Sequence, residues 1–464
     1  MVNKQKKVDL KPTQVLVLGF LLLIVLGAVL LDLPVASQPN VNGVRDSVGV
    51  IDALFTATSA VCVTGLVVVN TMEHWSLFGK VVIIILIQIG GLGFMTLATT
   101  FFMLMGRKIG LKERLVIQEA LNQNAISGLV RLVRSILLGT VIIEGVGALF
   151  LTIAFLKDYP LKEAITLGVF HSISAFCNAG FDIISKTSFS PYVHDVAVNL
   201  TIMVIIILGG LGFTVWIDLI KVTKEKFEKK LDFKHWFLRL NLHSKLVLAL
   251  TASFLLGGLV LFFLFEMNNQ RTIGDFTFGQ KVLASMFQSV TPRTAGFNTI
   301  PLDRMTDGSK FLTIILMFIG GSPAGTAGGV KTVTIGVLIF AVISVVRSKE
   351  ETEIFDRRIP EDIVKRALAV VMISLSVVVM VTITLTITEN FSFMDTLFEA
   401  VSAFGTVGLS LGITEELSAI GKLVMCVTMF IGRLGPVTMA VAFAIRSSRR
   451  ATNIRKPEEK VMVG

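Results

Sequence analysis

Four glycines stand in one recurring context. Ser59-Ala60-Val61-Cys62-Val63-Thr64-Gly65-Leu66, Ser174-Ala175-Phe176-Cys177-Asn178-Ala179-Gly180-Phe181 and Ser402-Ala403-Phe404-Gly405-Thr406-Val407-Gly408-Leu409 share the pattern S-A-apolar-x-x-x-G-apolar. Val290-Thr291-Pro292-Arg293-Thr294-Ala295-Gly296-Phe297 keeps the glycine and the apolar residue after it but loses the Ser-Ala pair. The glycines are 115, 116 and 112 residues apart, a near-constant period that marks internal repeats. The chemistry available here belongs to the backbone. Glycine permits dihedral angles and close approaches that a Cβ hinders, and a ring of backbone carbonyls can replace the hydration shell of a small cation such as potassium. The candidate ring is Val63, Thr64 and Gly65, Asn178, Ala179 and Gly180, Thr294, Ala295 and Gly296, and Thr406, Val407 and Gly408. No carboxylate is required in it. Small residues also serve tight helix packing in membranes; recurrence in four units favours the carbonyl ring over that alternative.

A second set of glycines follows the first at offsets of 25, 29, 24 and 24: Gly90-Gly91-Leu92-Gly93, Gly209-Gly210-Leu211-Gly212, Gly320-Gly321-Ser322-Pro323 and Gly432-Arg433-Leu434-Gly435. The third copy runs on as Gly320, Gly321, Ser322, Pro323, Ala324, Gly325, Thr326, Ala327, Gly328 and Gly329. At about 1 kcal/mol per glycine and 3 per proline in a helix interior, this segment unwinds. An unwound loop beneath a pore can occlude it and move aside; the alternative is a passive kink. Lys331 reads as a snorkelling or loop-anchoring residue. Arg433 replaces a glycine of the other copies. A cation there would lower ion occupancy beneath the ring, unless it is paired with a buried carboxylate, and intramembrane charges call for a functional reading.

The elements that must position these residues are membrane helices. Of 464 residues, 53% are hydrophobic and 16% charged, and the mean hydropathy is +0.78. About 20 apolar residues cross a bilayer as a helix. Eight such runs occur, at 15–31, 81–104, 137–155, 198–219, 246–265, 311–346, 367–387 and 423–445. Continuous runs exclude an outer-membrane barrel, whose strands alternate. The first glycine of each unit lies between a pair of runs, in a semi-apolar segment too short to cross. Each unit therefore reads helix, re-entrant helix, extended glycine turn, helix. The expected fold is an all-α polytopic membrane protein with four parallel repeats, 15–105, 131–222, 243–346 and 365–445, around a pseudo-fourfold pore. Only the sixth run carries a strong breaker sequence.

The net charge of +10 reports topology rather than a nucleic-acid partner. Thirty of the 43 Lys and Arg fall in five segments: Lys4 to Lys11, Arg107 to Arg134, Lys221 to Lys245, Arg347 to Arg366 and Arg446 to Lys460. The positive-inside rule places these segments in the cytoplasm, including the termini 1–14 and 446–464. The N-terminal run is long and lacks an A-x-A site, so it is expected to stay as the first helix of a multi-pass cell-membrane protein. Cys62, Cys177 and Cys426 form no disulfide or CxxC pattern. Cys62 and Cys177 are expected to pack behind the ring as small apolar groups; facing a vestibule, they would make transport sensitive to thiol reagents. Glu399 and Arg293 are a possible scaffold pair. Asp52, His171 and Glu144 are expected to be satisfied structural groups.

No P-loop, HExxH or GxGxxG in strand context is present, so an enzyme is not expected. Transport would follow the membrane potential, about 2.3 kcal/mol per charge per 100 mV. A secondary carrier remains an alternative. Carriers usually show inverted repeats or paired discontinuous helices, whereas these repeats are parallel. A non-transporting scaffold would have no use for four glycine turns.

The four units, with Cys62-Val63-Thr64-Gly65-Leu66, Asn178-Ala179-Gly180-Phe181, Thr291-Pro292-Arg293-Thr294-Ala295-Gly296-Phe297 and Gly405-Thr406-Val407-Gly408-Leu409, resemble the Trk/Ktr/HKT superfamily of potassium transporters, and within it the bacterial Ktr membrane subunit. Glycine in all four filters implies potassium preference there, and a serine in the first accompanies sodium transport in some plant members. Cys62 and Cys177 depart from the hydroxyl or amide residues more usual at that place. The resemblance also implies a gate in the broken segment of the third repeat and a pore-side basic residue at Arg433. It implies sodium dependence as well, with sodium as an activator or a co-transported ion, and no organic cofactor on this chain. It further implies a homodimer and a cytosolic octameric ring of RCK domains switched by ATP and ADP. Docking segments for that ring would be Arg107 to Arg114, Lys221 to Lys234 or the tail after Arg446, which equally suit contact with anionic membrane lipid.

Overall fold

The computed structural model describes residues 11–40, 43–93, 95, 96, 99, 103, 105, 110–120, 128–230, 232–436, 438, 439 and 459. The start of the N-terminal lysine cluster, Arg107, Lys108 and the segment 446–464 apart from Glu459 lie outside the described residues. The first repeat consists of α1 (Pro12–Asp32), the re-entrant α2 (Val50–Cys62) and α3 (Leu77–Leu92). The second has α4 (Leu129–Phe155), the re-entrant α5 (Leu161–Cys177), α6 (Val196–Gly210) and α7 (Phe213–Lys229). In the third come α8 (Leu242–Glu266), the re-entrant α9 (Phe278–Val290), α10 (Asp307–Phe318) and α11 (Thr332–Val346). The fourth has α12 (Glu361–Thr388), the re-entrant α13 (Phe393–Gly405) and α14 (Ala419–Leu434). A small antiparallel hairpin, β1 (Thr352–Ile354) with β2 (Arg357–Ile359), joins the third repeat to the fourth.

The first helix of every repeat is long enough to cross a membrane unbroken: α1, α4, α8 and α12 have 21, 27, 25 and 28 residues. Their outward residues, such as Leu22, Leu138, Leu256 and Met380, are exposed aliphatics, as a lipid-facing surface demands. The re-entrant helices run the other way in composition. In α13 every residue from Phe398 to Gly405 is buried, and α2 and α5 are buried to the same extent over their last turns. Each second helix opens on a capped residue: the Ser76, Asp195, Thr306 and Ser418 side chains accept from Gly79, Val198, Ser309 and Gly421 N–H groups, satisfying donors that a helix start leaves unpaired.

The second helices correct the expectation of a single broken span. All four stop within two residues of Gly90, Gly209, Gly320 or Gly432. α3 ends before Gly93 (φ +78°) and α14 before Gly435 (φ +86°), while α6 and α7 meet at Gly212 (φ +90°) with a bend of 99°. In the third repeat the break widens to residues 319–331. The last glycine of each Gly-x-Leu-Gly unit ends the helix because its backbone lies in the left-handed region.

Candidate functional site

The four glycine turns meet as a closed ring. A Cβ added to Gly65 would lie 2.4 Å from the Ala179 carbonyl oxygen, one on Gly180 2.8 Å from that of Ala295, one on Gly296 2.6 Å from that of Val407, and one on Gly408 2.2 Å from that of Thr64. Each repeat thus abuts the next and the fourth closes on the first. All four glycines have positive φ, at +92°, +69°, +79° and +91°. Two residues earlier stands a non-glycine in the left-handed region: Val63 (φ 58°), Asn178 (58°), Thr294 (71°) and Thr406 (52°). Three of these are β-branched, where such angles are costly and persist only when the surroundings enforce them.

What enforces them is the end of each re-entrant helix. In repeats one, two and four, the N–H of the left-handed residue returns to the carbonyl of Ala60, Ala175 or Ala403, and the next N–H to that of Ser59, Ser174 or Ser402, a Schellman-type closure. The serine hydroxyls then hold the turn from behind: Gly65 N–H donates to Ser59 Oγ (3.0 Å), Gly408 N–H to Ser402 Oγ (3.2 Å), and Ser174 Oγ donates to the Phe181 carbonyl (2.7 Å). This is why Ser-Ala recurs. The third repeat, which lacks it, uses Thr291, whose hydroxyl donates to the Phe297 carbonyl at 2.5 Å. Asn178 directs its amide nitrogen to the carbonyls of Ala175 (2.9 Å) and Ile206 (3.2 Å), and its other amide atom faces the Thr294 hydroxyl at 3.4 Å. The re-entrant helices present their C-terminal, partially negative ends beneath the ring, which favours a cation there. Cys62 and Cys177 are fully buried and free; the Cys177 thiol lies 3.6 Å from Gln88 Oε1.

The second glycines do different work. A Cβ on Gly90, Gly209 or Gly432 would lie 2.0 Å from the carbonyl of Val61, Phe176 or Phe404 respectively. They seat each second helix against the end of its own re-entrant helix, so for this set close packing is the right reading.

Residues 319–331 lie directly under the ring. Gly328 and Gly329 abut Thr406 and Gly405. The bend at Gly212 frees the Gly209 and Gly210 carbonyls and the Phe213 N–H from helical bonding, and this loop takes all three: Thr326 N–H donates to Gly209 O (3.2 Å), Ser322 N–H to Gly210 O (2.9 Å) and Phe213 N–H to Ala324 O (2.8 Å). Backbone groups at membrane depth must be satisfied within the protein, so the broken helix and the loop complete each other. Thr326 Oγ1 donates to the Phe176 carbonyl at 3.0 Å, and Lys331 Nζ to the Ala327 carbonyl at 2.5 Å; Lys331 anchors the loop.

Among the described residues, Arg433 has no carboxylate partner. Its guanidinium donates to the carbonyls of Thr326 in the loop and Gly90 in α3, and to that of Gly91 at 3.0 Å. It therefore ties the loop to the first repeat from the fourth. A cavity of about 360 Å³ opens below, lined by Lys331, Arg433, Gly325, Ala327, Phe20 and Glu119 among others. Arg293 and Glu399 do not pair. Arg293 points to Thr251, 3.4 Å from its Oγ1, and Glu399 accepts the Thr414 hydroxyl: from the turn after α9 Arg293 reaches back to α8 of its own repeat, whereas Glu399 on α13 reaches the chain beyond Gly408. Asp52 holds Lys422 (2.7 Å), Glu144 holds Gln88 (3.1 Å), and His171 bonds to Leu167 and Ile183; all three are satisfied. Among the described residues, no cluster of His, Cys, Asp or Glu suits a metal ion.

Comparison with known proteins agrees with this architecture. A family model described as TrkH, cation transport protein, matches residues 26–453. The chain is 44% identical over 459 residues to the Ktr system potassium uptake protein B of Bacillus subtilis, covering 99% of this chain and 98% of that protein. It is 39% identical over 468 residues to the potassium/sodium uptake protein NtpJ of Enterococcus hirae, covering both completely. A crystal structure of the potassium transporter TrkH from Vibrio parahaemolyticus superposes with a TM-score of 0.71 at 18% identity, over 95% of this chain and 87% of that one, which establishes the shared fold.

Proposed function

The chain belongs to the TrkH family of cation transport proteins, multi-pass membrane proteins and not enzymes, and from that membership we propose that it carries potassium into the cell through the central ring. The observation that carries the proposal is the cyclic closure of Gly65, Gly180, Gly296 and Gly408 on one another's neighbouring carbonyls. Thr64, Ala179, Ala295 and Val407, with the left-handed residues Val63, Asn178, Thr294 and Thr406, supply oxygens in place of water. Glycine at all four places, and relatives named for potassium uptake, support potassium as the cargo. The loop 319–331 acts as the gate, held shut by its backbone bonds to the second repeat and by Arg433. Arg433 also places positive charge beneath the ring, so that ions do not dwell there.

In this reading both termini are cytoplasmic, sodium is an activator, and the chain works as a homodimer under a cytosolic RCK-domain ring that binds ATP or ADP. Relatives named as parts of a Ktr system support a partner subunit. The relative named for potassium/sodium uptake supports a second reading, sodium permeation through the same ring.

The test is flux of potassium or rubidium into liposomes containing the purified chain, driven by an imposed potential, with sodium compared as permeant and as activator. Selective potassium flux is expected. Equal fluxes of both ions would favour the second reading, and no flux from folded protein, with or without a cytosolic partner, would overturn both.

A further inference from the structure

Nine residues before each ring glycine, on the re-entrant helix, stand Thr56, His171, Phe287 and Glu399. The two polar members with hydrogen-bond partners reach the outer limbs of their own turns. His171 is fully buried; its Nδ1–H donates to the Leu167 carbonyl (2.7 Å), which leaves Nε2 to accept from the Ile183 N–H (3.1 Å), three residues beyond Gly180. Phe170 and Phe189 meet its ring edge-on, at 5.6 and 5.1 Å between centroids. Glu399 is likewise fully buried and accepts the Thr414 hydroxyl, itself 2.9 Å from Ser410 Oγ, two residues beyond Gly408. Among the described residues the other two repeats lack this bond. Phe287 has no polar group, and Thr56 Oγ1 has no partner among the described residues. The third turn leans instead on the second, through Phe189 N–H to the Asn298 carbonyl (2.9 Å) and Asn298 N–H to Ser188 Oγ (3.4 Å).

We infer that Glu399 and His171 are positioning residues that brace the outer limbs of the fourth and second turns, and thereby hold the ring at the diameter that discriminates between potassium and sodium. A carbonyl ring selects only while its oxygens stay at a set distance from the ion. Its inner limb is fixed by the serine and backbone closures already described; its outer limb is irregular chain whose own bonds are local, as from the Ile184 and Ser185 N–H groups to Asp182 and from Gly412 N–H to Ser410 Oγ, and do not tie it to the re-entrant helix. At the fourth turn, Glu399 links the helix to that limb through one hydroxyl chain, Thr414 to Ser410. Geometry does this work, not charge. An amide oxygen at residue 399 accepts the same hydroxyl.

The inference rests on the ring being the selectivity filter, so the wild-type chain is measured in parallel. Potassium-to-sodium permeability ratios are taken in liposomes for Glu399→Gln, Glu399→Leu, Thr414→Val and the Leu/Val double variant, on protein shown by size exclusion to be folded. Glu399→Gln is expected to keep the wild-type ratio within about twofold. Glu399→Leu and Thr414→Val each lower it about fivefold, the factor expected from losing an ordinary hydrogen bond of about 1 kcal/mol, and the double variant falls no further than either single. If Glu399→Leu does not fold, Thr414→Val carries the test alone. A wild-type ratio in Thr414→Val, a loss in Glu399→Gln, or additive losses in the double variant would each overturn the brace. A wild-type chain that does not discriminate would overturn the filter reading itself, and the brace with it.

Discussion

Replacing Gly65 tests the ring most directly. At φ +92° any L-residue strains the backbone by about 1–2 kcal/mol. The new Cβ would also sit 2.4 Å from the Ala179 carbonyl oxygen and 3.1 Å from Gly180 Cα. Both obstacles are backbone, so no side-chain rotation relieves them. Reaching an ordinary contact near 3.5 Å requires the first and second turns to part by about 1 Å. A displacement of that size on one side of a four-member ring is enough to lose at least 1.4 kcal/mol of discrimination, a tenfold fall in the potassium-to-sodium ratio. Gly65→Ala and Gly65→Ser are expected to fall alike, because the Cβ and not the hydroxyl does the damage. Two controls separate the causes. Gly128 has φ +78° but nothing within 4 Å of a Cβ, and Gly257 lies in α8 with equally open space. Gly128→Ala should cost stability without changing selectivity, and Gly257→Ala should change neither for the worse. The assay is the permeability ratio in liposomes beside the melting temperature of each variant. An unchanged ratio in Gly65→Ser, or an equal loss in Gly128→Ala, would refute the argument that ring contacts set selectivity.

Arg433→Gln should raise basal flux, since it removes charge-assisted bonds to Thr326, Gly90 and Gly91 worth about 1.5–3 kcal/mol each; losing one such bond shifts the closed loop toward open by about tenfold, and lower rubidium flux would count against the tether. Gly328→Val places a Cβ 2.0 Å from Thr406 Oγ1, so the loop cannot close and leak should rise, as it should when Gly325 to Gly329 are deleted. Unchanged flux in both folded variants would remove the loop from gating. Cys62 and Cys177 are fully buried, so aqueous thiol reagents should neither label them nor block transport in the folded chain; rapid labelling detected by mass spectrometry would contradict their placement.

The structure also explains which features were hard to foresee. Four near-identical glycine contexts announced four turns, because a turn that demands left-handed backbone and close approach leaves a residue type that cannot be exchanged. The same logic exposed the loop in the third repeat, where glycine and proline are dense. It did not expose the breaks in the other three second helices, although Gly93, Gly212 and Gly435 were visible. One left-handed glycine inside an otherwise aliphatic helix has no composition signature. Its conformation at Gly212 is settled by what takes up the freed carbonyls of Gly209 and Gly210, and that partner lies more than 100 residues away in the chain. The possible pairing of Arg293 with Glu399 failed for a related reason: the two lie on pore segments of adjacent repeats, but Arg293 sits in the turn after α9 and Glu399 on α13, and the direction of each is set by the packing of its own repeat.

Local rules and repetition make several features legible in the residues alone: a helical membrane chain, four parallel units, re-entrant segments leading into a glycine turn, and an unwound stretch in the third. Apolar run length, dihedral demands and period are properties of short segments, so they can be read without knowing what lies beside them. It takes the packed molecule to show that each glycine closes on the carbonyl of the next repeat, that the loop is stitched into the bend of the second repeat, and that Arg433 reaches the backbone of two others. These are contacts between backbone atoms of distant segments, and a carbonyl carries no side-chain identity from which its partner could be inferred.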